Sequence, residues 1–205
     1  MDSDSLVNLL IALLLVLLNG FFVAAEFSIV KVRYSQIQLK AAEGNAVAKQ
    51  AEYIIKNLDA YLSATQLGIT LASLGLGFVG ESAMHHIFTD LFNYWDIAFL
   101  QKNIDTISLV SSFLLVTVLH IVFGELVPKS IAIRKSEPTT LFIAYPLHLF
   151  YNIFRPFIWL MNSLSNAFLK MIKIYPASEH DIHSTEELQL LVKQSADSGE
   201  IEEEN

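Results

Sequence analysis

A carboxylate and a proline lie close together near the end of the third long apolar stretch of the chain. That stretch ends in Phe123-Gly124-Glu125-Leu126-Val127-Pro128-Lys129-Ser130. Because proline has no N–H, Pro128 leaves the carbonyl of Gly124 without its helical partner, and Glu125 places a negative charge beside it. Such oxygens at a helix end suit a hard cation such as Mg²⁺. The motif therefore indicates a cation site; the alternative is that Glu125 only marks the helix end and points into water.

The second apolar stretch carries polar side chains at helical spacing. Gln66, Thr70 and Ser73 follow one another at intervals of four and three residues, so one helix face presents three side-chain oxygens that can line an ion path. The same stretch holds four of the eight glycines of the chain. Small residues let membrane helices approach closely, and Ser, Thr or Gln then hydrogen-bond across the contact. Both the ion path and simple helix packing stay open at this point.

The first apolar stretch ends in a small and polar patch. Its members are Asn19, Gly20, Ala24, Ala25, Glu26 and Ser28. A charged side chain in a bilayer costs at least roughly 2.5 kcal/mol, so we interpret Glu26, near Ser28, as an assisting or coupling carboxylate unless it reaches outward to the headgroups. At about 1.5 Å per residue, Glu26, Gln66 and Glu125 lie at similar depth. Three helices can therefore converge on one ion.

The composition is that of a membrane protein. The 205 residues are 53% hydrophobic and 17% charged, with a mean hydropathy of +0.46, which exceeds what one soluble core needs. Uncharged windows near the roughly 20 residues that cross a bilayer predict transmembrane helices over about 5–30, 60–80 and 106–126. Segments 35–58 and 139–174 are predicted to be juxtamembrane or interfacial helices that form a belt. The predicted fold class is all-α.

Each flanking segment leaves an alternative open. The apolar stripe within 35–58 can lie along the inner membrane surface or pack on another cytoplasmic element. Segment 139–174 is interrupted by Pro146, Arg155 and Pro156, and it fits a re-entrant or interfacial hairpin better than two crossings.

Basic residues are concentrated after the first and third windows. The positive-inside rule then places the N-terminus outside and the C-terminus in the cytoplasm, so we expect a multi-pass plasma-membrane protein that contacts lipids. Residues 1–175 form the predicted transmembrane domain. Residues 176–205 are predicted to be an acidic cytoplasmic linker to a regulatory domain that has been removed, with a capping-box pattern at Ser184-Thr185-Glu186-Glu187.

Other kinds of chemistry have little support. The chain has no cysteine, which excludes disulfides and thiolate metal sites. The adjacent His85 and His86 diverge on a helix, and His120 precedes Glu125 by five residues, unlike the His-Glu-x-x-His arrangement of a zinc protease. No nucleophile elbow or phosphate loop is present. We expect no enzyme activity and no nucleic-acid partner.

Three segments resemble the CorC/CNNM-type magnesium transporters. They are Phe21-Phe22-Val23-Ala24-Ala25-Glu26-Phe27-Ser28, Thr65-Gln66-Leu67-Gly68-Ile69-Thr70 and the stretch from Phe123 to Ser130, of which the last is the most specific. The resemblance implies a homodimer whose protomers each have three transmembrane helices girdled by juxtamembrane helices. It also implies Mg²⁺ export, driven in bacterial members by Na⁺ entry, and regulation by ATP through cytoplasmic CBS domains that this chain lacks.

By position, the ion-binding glutamate of that family corresponds to Glu125. Many members have serines near Ala24 and Ala25 and asparagines around Thr70, so this chain departs from the pattern and its site relies more on hydroxyls and carbonyls. The predicted metal ligands are Glu125, Gly124, Thr70, Ser73 and Gln66, with Pro128 as the helix-breaking residue. Na⁺-coupled Mg²⁺ export is the preferred hypothesis. The alternatives are a membrane-anchored module that regulates another ion transporter, and a scaffold held by small-residue packing.

Overall fold

The computed structural model describes residues 3–95 and 103–173, and the elements in these two ranges are helices. They are α1 (Ser3–Lys31), α2 (Tyr34–Ala42), α3 (Ala46–Lys56), α4 (Leu58–Trp95), α5 (Ile104–Leu119), the π-helical segment π1 (His120–Leu126), α6 (Val127–Arg134) and α7 (Ser136–Met171). The chain divides into two compact units, Met1–Asn162 and Ser163–Asn205. The first contains the elements that build the candidate site, and the described part of the second is the end of α7.

Three helices are long and apolar enough to cross a membrane: Leu6–Lys31, Leu58–Gly80 and Ile104–Arg134. They correspond to the three predicted spans, so the predicted all-α membrane fold is confirmed. The third continues past the predicted end at 126, because π1 and α6 follow α5 without a break. A proline near the start of α6 costs that helix little, since the first N–H groups of a helix have no partner within it.

The sequence predicts one amphipathic helix over 35–58, and this prediction was wrong, because the structure has two. Gly44 ends α2 with φ of +93°, a left-handed conformation that glycine adopts without strain. Asn45 then caps α3, since its side-chain oxygen accepts hydrogen bonds from the N–H groups of Val47 (2.9 Å) and Ala48 (3.1 Å). The two helices are therefore joined by a tight turn.

The inward faces of α2 and α3 pack on protein. Ile37, Ala51 and Ile54 belong to one buried cluster with residues of α1, α4 and α7. This packing favours the second of the two alternatives for the apolar stripe, a contact with other helices rather than with the membrane surface.

The structure also corrects the predicted hairpin over 139–174, because α7 is a single helix. Pro146 and Pro156 lie inside it, yet Ile143, Leu147 and Ile158 are buried at helical spacing across both prolines. His148 also hydrogen-bonds through Nδ1 to the Tyr61 hydroxyl at the start of the second span. Packing on one continuous face compensates for the backbone hydrogen bonds that the prolines remove.

Several predictions fall on residues outside the described ranges. The acidic linker over 176–205 and its capping box lie there, and the side chains of His85 and His86 are likewise outside the description. The belt around the spans and the orientation of the termini stay predictions.

Gly68 lies at a close contact between the first two spans. A Cβ at residue 68 would lie 2.5 Å from three ring atoms of Phe22, whose side chain is buried in α1. Glycine at this position therefore lets α1 and α4 approach to the distance set by an aromatic ring, as small residues do in membrane helix pairs.

We expect Gly68→Ala to lower the free energy of unfolding by about 1–3 kcal/mol, because the methyl group overlaps the Phe22 ring. The measurement is reversible denaturant unfolding in detergent micelles, followed by circular dichroism. Gly77→Ala is the matched control on the same helix, since a Cβ there meets no heavy atom within 4 Å. Equal destabilisation by the two substitutions would contradict the packing interpretation.

Candidate ion-binding site

The π-helical segment π1 lies directly before Pro128. At its end the N–H of Val127 donates to the carbonyl of Val122, five residues earlier, instead of the usual four. A proline in a regular α-helix would press on the carbonyl four residues before it, here that of Gly124, and it has no N–H to donate to that carbonyl. The wider π-turn accommodates the ring, and single π-turns of this kind are frequent at functional sites.

The Gly124 carbonyl is satisfied from another helix. Nδ2 of Asn19 in α1 donates to it at 2.9 Å, and the hydrogen bond is buried. Oδ1 of the same amide accepts from the Ser73 hydroxyl of α4 at 3.1 Å. One side chain, 3% exposed, thus joins all three spans.

His120 extends this hydrogen-bonded group. Its Nε2 lies 3.4 Å from the Ser73 hydroxyl oxygen, and its ring lies over the backbone of Gly124, where a Cβ would be 2.8 Å from Cδ2. We call Asn19, Ser73, His120 and Gly124 the Asn19 cluster. It contains oxygen and nitrogen acceptors but no carboxylate.

Two glycines make this approach possible. A Cβ at Gly20 would lie 2.9 Å from Cγ of Pro128 and 3.0 Å from the carbonyl oxygen of Phe123, and one at Gly124 would lie 3.2 Å from Nδ2 of Asn19. Gly20 lets α1 reach the third span, and Gly124 leaves room for the amide.

A cavity of about 240 Å³ adjoins the cluster. It is lined by Ser73, Leu76, Gly77, Phe113, Val116, Thr117 and His120. A water molecule takes up about 30 Å³ in the liquid, so the cavity has room for more than one, with hydroxyl and imidazole groups on its wall. Ser73 and His120 of the cluster thus line a space large enough for water.

The structure brings together only part of the predicted ligand set. Ser73 and the Gly124 carbonyl both contact Asn19. Gln66 and Thr70 are exposed, and the Thr70 hydroxyl donates to the backbone carbonyl of Gln66 at 2.8 Å. Glu125 is exposed as well, and within residues 3–95 and 103–173 no hydrogen bond or ion pair joins it to the other predicted ligands.

The two residues predicted to assist lie further along α1. Glu26 is half-buried, and the ammonium of Lys129 sits 4.4 Å from the ring centre of the adjacent Phe27. The Ser28 hydroxyl is buried and donates to the carbonyl of Ala25 at 3.1 Å. In the described parts of the chain, no three side chains of His, Asp or Glu gather as in a closed protein metal site. The roles assigned to these residues stay predictions.

Sequence reasoning missed the central residue. The sequence marks Asn19 only as one member of a polar patch, and His120 only as a mismatch to a zinc motif. The available signal was an amide followed by glycine within a charge-free span, because a buried amide in hydrocarbon must find a hydrogen-bond partner.

Replacing Asn19 tests the cluster. Asn19→Ala removes both interhelical hydrogen bonds and takes the side-chain donor away from the buried Gly124 carbonyl, so we expect a loss of about 1–3 kcal/mol in the free energy of unfolding. The measurement is the same denaturant titration in micelles.

The matched control is Asn57→Ala. Nδ2 of Asn57 also donates to a backbone carbonyl, that of Tyr53 at 2.8 Å, but the bond is local and exposed. A loss for Asn19→Ala no larger than that for Asn57→Ala would show that the interhelical contact contributes nothing to stability.

Comparison with known proteins agrees with the predicted membrane spans. A protein-family model described as "CNNM: Cyclin M transmembrane N-terminal domain" matches residues 10–205. UPF0053 protein YrkA of Bacillus subtilis (strain 168) is 45% identical over 196 residues, which are 95% of this chain and 45% of that protein. UPF0053 protein YhdT of the same organism is 45% identical over 199 residues, 97% of this chain and 43% of that protein. The chain thus spans less than half the length of these curated relatives.

Proposed function

The chain belongs to the CNNM, or cyclin M, transmembrane domain family, and we propose that it is the ion-transporting domain of a Mg²⁺ exporter driven by Na⁺ entry across the plasma membrane. The observation that carries the proposal is the Asn19 cluster, in which one oxygen from each of the three spans comes together. One of these oxygens is the Gly124 carbonyl, which has no N–H partner at Pro128. Membership of the family establishes a membrane domain consistent with a Mg²⁺-related role. The ion, the direction and the coupling are our proposal.

The available ligands suit Mg²⁺ better than a soft metal. Carbonyl, hydroxyl, amide and carboxylate oxygens are hard donors, and Mg²⁺ requires about six of them at about 2.0–2.1 Å while keeping several of its waters. The Gly124 carbonyl, the Ser73 hydroxyl and the Asn19 amide oxygen supply neutral oxygens in this scheme. Glu125 supplies the charge, and Glu26 assists it.

In the described conformation, Asn19 competes with the ion for its ligands. Its Nδ2 occupies the Gly124 carbonyl and its Oδ1 holds the Ser73 hydroxyl. Rotation of the Asn19 amide would release both groups and turn its oxygen toward them. Interhelical hydrogen bonds of this kind average about 0.6 kcal/mol in a membrane protein, so an arriving ion can replace them at low cost.

The exposed polar residues require cover in a membrane. Gln66, Thr70 and Glu125 are exposed on the single chain, although they lie in or at the ends of the spans. Polar groups facing hydrocarbon are costly, which supports a homodimer in which a second copy or a water-filled path covers them. We propose the N-terminus outside and the C-terminus in the cytoplasm, with ATP acting only through CBS domains.

Glu125→Ala tests the proposed site. In cells loaded with Mg²⁺, we expect the efflux rate to fall by roughly tenfold or more, since a charged ligand to a cation is worth more than one decade in affinity. Dimer formation, measured by crosslinking, is expected to remain. Glu43→Ala removes an exposed carboxylate outside the spans and serves as the matched control. Unchanged efflux in the Glu125 variant would reject the site.

Coupling is tested by replacing external Na⁺ with an impermeant organic cation. We expect Mg²⁺ efflux to slow severalfold at once, because the driving ion is gone, and to recover when Na⁺ is restored. The measurement is a fluorescent Mg²⁺ indicator in proteoliposomes that contain only this protein. Efflux insensitive to Na⁺ would contradict the coupling, and no Mg²⁺ movement under an ion gradient or a voltage would favour a module that regulates another transporter.

A further inference from the structure

An open groove runs along the outer side of α6. It is lined by Leu126, Val127, Ser130, Ile131, Arg134 and Lys135 and encloses about 480 Å³. We call it the α6 groove. Its members recur at intervals of three and four residues, so they form one face of the helix.

The opposite face of α6 is fully engaged. The Pro128 ring lies against Gly20, the Lys129 ammonium lies over the Phe27 ring, and Ala132 is completely buried. Because these contacts fix α6 against α1, the groove must face away from that helix. Leu126, Val127 and Ile131 are each about half exposed there, at 52%, 43% and 51%.

The groove is apolar at one end and cationic at the other. Leu126, Val127 and Ile131 lie within the third span, whereas Arg134 is its last residue and Lys135 follows it. From Leu126 to Arg134 the helix rises about 12 Å at 1.5 Å per residue. The groove therefore has an apolar wall within the candidate span and two positive charges at the end of that span.

The two charges are free to bind a ligand. In the described part of the chain, neither Arg134 nor Lys135 forms a salt bridge, and the nearby Glu137 is already paired with Lys40. A second copy of the chain is a poor occupant, since a two-fold contact through this face would bring the like charges of both copies together.

We infer that the α6 groove is a binding site for an anionic phospholipid. The lipid phosphate pairs with Arg134 and Lys135, and one acyl chain lies along Leu126, Val127 and Ile131. Arginine matches phosphate oxygens in a bidentate geometry, and basic residues just outside a span are attracted to anionic lipid. The combination of charge and apolar wall selects a lipid over free phosphate.

The test is native mass spectrometry of the protein titrated with phosphatidylglycerol or phosphatidylcholine in detergent. For the unmodified protein we expect retained phosphatidylglycerol to exceed phosphatidylcholine at equal concentration. In Arg134→Gln/Lys135→Gln the apparent affinity for phosphatidylglycerol is expected to fall by roughly tenfold, with little change for phosphatidylcholine.

Lys49→Gln/Arg155→Gln is the matched control, since it removes one exposed lysine and one exposed arginine elsewhere on the described surface. An equal loss in both double variants would mean that net charge, not the groove, retains the lipid, and would overturn the proposal.

A third variant, Ile131→Trp, keeps both charges and fills the apolar end of the groove with a larger side chain. We expect it to weaken phosphatidylglycerol binding severalfold, and undiminished binding would overturn the acyl-chain contact. All these positions are exposed, so size-exclusion profiles are expected to match that of the unmodified protein. A groove occupied by a second copy would instead show as a dimer that Ile131→Trp dissociates without any change in lipid retention.

Discussion

The structure depends on one buried amide. In hydrocarbon no water can satisfy a backbone group, so the carbonyl that Pro128 releases must find a donor within the protein. Nδ2 of Asn19 is that donor, and its oxygen at the same time holds the Ser73 hydroxyl. The close approach of α1 to π1 follows from this requirement, because the bond to Gly124 cannot form unless Gly20 and Gly124 let the two backbones come together.

The same requirement links stability with transport in the proposed mechanism. The oxygens that an ion needs in this mechanism include those that Asn19 holds in the described conformation, so the contact that joins the spans is also one that an ion must exchange. Each such bond is weak in a membrane, which keeps the exchange reversible. A stronger interaction, such as a buried ion pair between α1 and π1, would also hold the helices together, but an arriving ion could not readily replace it.

The sequence predicts the spans well because their signal is local. Windows without charge identify three crossings, and Pro128 with Gly124 locates a released carbonyl four residues away. The partner of that carbonyl could not be predicted, since it depends on how α1 is rotated about its axis, which only packing determines. For the same reason, Gln66, Thr70 and Ser73 were rightly placed on one helix, but only Ser73 contacts the Asn19 cluster.

The two errors in helix boundaries have opposite causes. Gly44-Asn45, a left-handed residue followed by an N-cap, is a sequence signal for the break between α2 and α3. The apolar stripe continues on both sides of it, however, and by itself predicts one uninterrupted helix. In α7, the sequence predicts interruptions at the prolines, yet buried residues continue in phase across both. In the first segment, the turn-forming residues determined where the helix ends, although the apolar periodicity continues. In the second, packing of the buried face kept the helix continuous despite its prolines.

The third span connects the Asn19 cluster with the α6 groove. Gly124 lies two residues before Leu126, and π1 passes into α6 without a break, so a shift of α6 along α1 also moves the carbonyl that Asn19 holds. In the proposed scheme, a lipid in the α6 groove and an ion at the Asn19 cluster would therefore act on the same continuous third span. Thermodynamic linkage then requires that a lipid which favours one position of α6 changes ion affinity by the factor by which the ion changes lipid affinity. A lipid that binds both positions equally has no such effect, however tightly it is held.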